Sequence, residues 1–110
     1  MIISTLISLR NESYSMGGAE RKRSIAEVFD SVPRGGMLLV RVRDTTSFEN
    51  EAYKRNNAAD GEVWSLVTLV DRGLLYAVIQ RRERWAETPD RILAAEWRIF
   101  AKEQLSHWAR

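Results

Sequence analysis

The sequence predicts an α+β fold, with one four-stranded, mainly antiparallel sheet and two amphipathic helices packed on one of its faces. Three observations carry that prediction. Two β-branched, aromatic-rich runs, 62–70 and 74–80, flank Asp71-Arg72-Gly73, the pattern of an antiparallel hairpin. Apolar residues recur at helical spacing in 19–32 and again from Thr88 to about Trp108. Residues 2–9 and 37–43 alternate at the period of a strand.

The elements follow in order. In 2–9, Ile3, Thr5, Ile7 and Leu9 share one side, which predicts the first strand; 10–18 is polar and reads as a loop. In 19–32, Ile25, Val28, Phe29 and Val32 form one helical face, and Pro33 excludes continuation. The strand 37–43 sets Leu38, Val40 and Val42 against Leu39, Arg41 and Arg43. Thr46 followed by Glu49 fits a capping box, so a short helix is expected over about 48–55, ended by Asn56-Asn57. The hairpin follows, its connection read as a type I turn with Gly73 in the left-handed region. Thr88-Pro89-Asp90 supplies an N-cap, a proline at the first helical position and an acid in the first turn of the last helix. The order is β-α-β-(short α)-β-β-α in one domain, 1–110. It resembles a ferredoxin-like sandwich in outline only: the final strand of that plan is absent, and the likeness implies no functional residue.

Composition narrows function by exclusion. The chain has no cysteine, which removes disulfides, thiolate nucleophiles and cysteine metal sites, and it favours a reducing compartment. His107 is the single histidine, so histidine clusters are excluded too. The formal net charge is +2, too small for strong nonspecific nucleic-acid binding. The apolar start lacks a basic leader, and no apolar run approaches the ~20 residues that span a bilayer. The expectation is a cytoplasmic protein with no cofactor, no metal and no membrane partner. No catalytic residue is nominated. His107 has no local partner, and Glu83 and Glu87 stand among arginines.

Four groups of residues are candidates for binding. Arg21, Lys22 and Arg23 follow Gly17-Gly18 and would lie in the first turns of the first helix, where free N–H groups favour an anion; the alternative is a solvated face paired with Glu20 and Glu27. Arg81, Arg82 and Arg84 beside Trp85 could track a nucleic-acid backbone and stack a base; alternatively they pair with Glu83 and Glu87. Phe48 and Tyr53, and the helical stripe of Ile92 and Ile99, are candidate contacts for a protein partner, though Phe48 equally suits the core. Trp64, Tyr76 and Trp97 would line a small-molecule pocket between sheet and helices.

The hairpin poses the main functional question, because both of its faces are apolar. An antiparallel sheet with one solvated face alternates cleanly between apolar and polar residues. If both helices cover one face, a second copy, a partner or a ligand should cover the other; the alternative cover is the 44–61 stretch. The leading expectation is therefore a non-catalytic binding protein, homodimeric, acting through a surface on a macromolecular partner. Nucleic-acid binding and a small-molecule-binding or cofactor-free enzymatic domain are the alternatives.

Overall fold

A computed structural model describes residues 6–8, 14–16, 19–21, 24–58, 61–85 and 90–108. The element order is β1 (Leu6–Ser8), β2 (Tyr14–Met16), β3 (Ala19–Arg21), α1 (Ile25–Asp30), β4 (Met37–Arg41), α2 (Thr46–Asn56), β5 (Glu62–Asp71), β6 (Leu74–Glu83) and α3 (Asp90–Trp108). The α+β class holds, built on an antiparallel sheet of β4, β6 and β5. β1 contributes only three residues, parallel to β4, at the far edge, in the order β1-β4-β6-β5.

Burial follows that order. Met37, Leu38, Leu39 and Val40 of β4 are all buried, as are Tyr76 to Gln80 of β6, because both strands are flanked by neighbours and covered on both faces. In β5 only Trp64 is buried. It is the edge.

Alternation splits the apolar residues into two cores. On one face Leu38, Val40, Val42, Trp64, Ala77 and Ile79 pack against Val28 and Phe29 of α1 and Phe48 and Ala52 of α2. On the other, Met37, Leu39, Tyr76 and Val78 pack against Phe100 and Ala101 of α3. This corrects the expected layering. The helices lie on both faces, not one, and the chain covers its own two-sided hairpin. α2, from the 44–61 stretch, is part of that cover. The ferredoxin-like outline goes with it, since that plan splits its first βαβ unit with an intervening strand, whereas β1 and β4 are neighbours here.

Three local expectations are also revised. The first helix begins at Ile25, not Ala19: Ser24 accepts from the Glu27 N–H and Glu27 from the Ser24 N–H, a complete capping box. Residues 19–21 instead pair antiparallel with 14–16, and Met16 opposes Ala19 on either side of Gly17-Gly18, a hairpin where a loop was expected. At α2 no Thr46–Glu49 box forms; Asp44 Oδ1 accepts from the Thr46 N–H. The part of the first strand at 2–5 and the Thr88-Pro89 start of the last helix lie outside the described residues.

Candidate interaction surface

Of the three strands whose burial is described, β4, β5 and β6, β5 is the least covered. Residues 63–70 read V-W-S-L-V-T-L-V, with no charge, glycine or proline. Thr68 and Val70 are exposed, Val70 at 68 %, and Leu66, Val67 and Leu69 are half-buried. Natural sheets blunt such edges with lysine, proline, bulges or a covering segment. This stretch has none of the sequence devices.

Hydrogen bonding shows which groups face outward. Asp71 opposes Leu74 at the hairpin end, so odd-numbered residues of β5 bond to β6 and even-numbered ones face away. The side chain of Asn56 confirms the alternation. Its Nδ2 donates to the Trp64 carbonyl at 2.8 Å, and its Oδ1 accepts from the Trp64 N–H at 2.7 Å. One amide thus imitates a neighbouring strand at Trp64 and stops there. Beyond it, the outward N–H and C=O groups of Leu66, Thr68 and Val70 have no partner among the described residues. The turn closes the far end. Arg72 and Gly73 have φ of 51° and 77°, so the connection is a two-residue type I′ turn, not the three-residue type I form expected.

The arginines near this strand are engaged inside the molecule. Arg81 donates to both Glu62 oxygens at 2.7 and 2.9 Å and to the Val32 carbonyl at 2.8 Å. Its guanidinium lies 5.0 Å from the Trp64 ring centroid, and that of Arg55 lies 4.9 Å from it. Arg55 also pairs with Asp30 and Glu51 and donates to the Ala26 carbonyl. Burial lowers the Arg55 pKa, but hydrogen bonds and charge from Glu51 and Asp30 outweigh it and raise the value overall. Arg84 donates to the Glu62 carbonyl at 3.1 Å. The cations clamp Trp64 between α2 and β6.

The other candidates are dispersed. The 81–85 run is not a free cationic strip: Arg81 and Arg84 are held internally, Arg82 is half-buried, and the exposed residues are Glu83 and Trp85, the latter at 80 %. Arg21 ends β3 and is not part of α1, while Lys22 and Arg23 lie outside the described residues. Trp64 and Tyr76 sit on opposite faces of the sheet, so the Trp64–Tyr76–Trp97 pocket does not exist as conceived. Trp97 instead lines a groove of about 340 Å³ with Leu69, Ala101, Leu105 and Arg98. Phe48 is buried in the α1–α2 core. Tyr53, Ile92 and Ile99 are exposed.

Asn56 and Thr68 went unnoticed in the sequence. Asn56 carried only a helix-stop reading, and Thr68 looked like an ordinary strand residue. Among the described residues, no cluster of three or more His, Cys, Asp or Glu is placed to hold a metal ion, and no helix is long and apolar enough to cross a membrane. Compared with protein-family models, curated proteins and solved structures, the chain shows no match to any of them.

Proposed function

We propose that this chain is a small, non-catalytic interaction protein that works as a homodimer joined through the β5 edge, presenting its remaining surface to a macromolecular partner. One observation carries the reading: an edge stretch, 63–70, without a charged residue, whose backbone groups at Leu66, Thr68 and Val70 face outward without partners among the described residues. Strand addition satisfies those groups and covers the apolar side chains beside them. The dimer expected from the sequence therefore keeps its place on different grounds, since the sheet faces are covered within the chain and the edge is not. The exposed Ile92 and Ile99 on α3, Tyr53 on α2 and Trp85 after β6 offer apolar surface for a further partner.

A contact of one short strand pair falls at the small end of specific interfaces, so association in the micromolar range is expected. Sedimentation equilibrium across that range tests it. The chain should move from 12.7 kDa toward twice that mass. Val70→Lys, which places a charge on an exposed edge position, should hold it at 12.7 kDa. A wild-type chain that stays monomeric contradicts the proposal, as does a dimer that Val70→Lys leaves intact.

A further inference from the structure

We infer that the dimer forms in one register, an antiparallel β5–β5 pairing about a two-fold axis at Thr68; this rests on the β5 edge being the joining surface. The free stretch has two physical ends. Asn56 occupies the outward groups of Trp64 at one end, and the left-handed turn at Arg72-Gly73 ends the strand at the other. Only Leu66, Thr68 and Val70 remain. In an antiparallel pair, outward residues must oppose outward residues to exchange both hydrogen bonds. A two-fold at Thr68 sets Thr68 against its own copy and Leu66 against the copy's Val70. Every free donor and acceptor is then used, and Asn56 stays in place.

Neighbouring registers do worse. An axis at Val67 sets Val70 against the copy's Trp64, whose groups Asn56 already fills. An axis at Leu69 sets Leu66 against the copy's Arg72, which belongs to the turn. Both leave a free pair unmet.

The side chains agree with the same choice. On the α1–α2 side, Leu66 meets Val70, the most exposed aliphatic residue of the strand at 68 %. On the α3 side, Val67 meets Leu69. Thr68 meets Thr68, a pair whose hydroxyls hydrogen-bond across strands. No charge opposes a like charge, because 63–70 contains none.

The absence of cysteine makes the register directly readable. In this pairing the two Thr68 Cα atoms stand about 5.5 Å apart, inside the window that a disulfide bridges. Two Leu66 positions are offset by four residues along the strands, roughly 13 Å, and cannot be bridged. Thr68→Cys, oxidised in air at micromolar concentration, should therefore give a disulfide-linked dimer that reductant dissolves. Leu66→Cys and Val70→Cys should each stay largely unlinked alone and link when mixed. Circular dichroism matching the parent chain secures each variant as folded. Equal linking by Thr68→Cys and Leu66→Cys, or linking by Leu66→Cys alone, overturns the register. If Val70→Lys dissolves the wild-type dimer while Thr68→Cys does not link, the register falls and the edge contact stands. A chain that is monomeric throughout removes both.

Discussion

Arg72 holds a backbone conformation that few side chains accept. Its φ of 51° lies in the left-handed region, which costs an L-residue other than glycine roughly 1–2 kcal/mol, and the first position of a type I′ turn favours Asn. Arg72→Asn should therefore stabilise the fold by about 0.5–1 kcal/mol in urea denaturation; a loss of stability would show that the arginine side chain contributes more than its backbone costs. Arg81 illustrates the opposite case. Its ion pair with Glu62, its bond to the Val32 carbonyl and its stack on Trp64 all sit in the half-buried layer between β5 and α1. Arg81→Ala leaves Glu62 without that ion pair and should cost about 3 kcal/mol, read as a lower denaturation midpoint at unchanged slope. Arg81→Lys should recover little of it, because an ammonium cannot reproduce the planar fork. Neither role was legible in the sequence, where Arg81 was one of four residues in a basic-aromatic run. Its partners at 32 and 62 are distant in the chain, and only the fold brings them together.

The elements divide into those that local pattern reveals and those it hides. β4, β5, β6 and α3 were readable because each carries a long, uninterrupted period and standard stop signals. The segment at 14–21 was not. Its Gly17-Gly18 pair is a hairpin signal, but the charged residues after it, Glu20 to Arg23, suit a helix as well as a strand and run into α1 with no glycine or proline to mark a boundary. Which face a helix covers was equally hidden, because both faces of the hairpin offer apolar residues and α2 and α3 each have a stripe to bury. α3 carries one cost on its packed side. Gln104 is only 9 % exposed, and its Oε1 has no hydrogen-bond partner among the described residues. An unpaired buried carbonyl costs about 1–3 kcal/mol, so Gln104→Met should raise stability by about 1 kcal/mol in the same denaturation assay. A destabilised Gln104→Met would mean that the amide makes a contact its neighbours require. Asn56, at the end of α2, is the converse. Asn56→Ala strips Trp64 of both edge bonds and should destabilise by about 1–2 kcal/mol.

At the scale of the molecule, the sheet is covered on both faces, and β1 and β5 are its edges. β1 lies beside β4, α1 with α2 covers one face, and α3 covers the other. The β5 edge has Asn56 at Trp64 and no partner beyond it among the described residues. The sequence pointed to this hairpin as the place where something was missing, and it misplaced the gap. Apolar residues on both faces of a strand show that both faces need cover; they do not show which strand is at the edge. Strand order decides that, and strand order is a long-range property. The most direct measurement is amide hydrogen exchange at Leu66, Thr68 and Val70, followed from low to high micromolar concentration. If β5 pairs with a second copy, these three amides exchange freely when dilute and become protected together as concentration rises, while Trp64, held by Asn56, is protected throughout. Three amides that exchange at the rate of an open edge at every concentration would contradict the account.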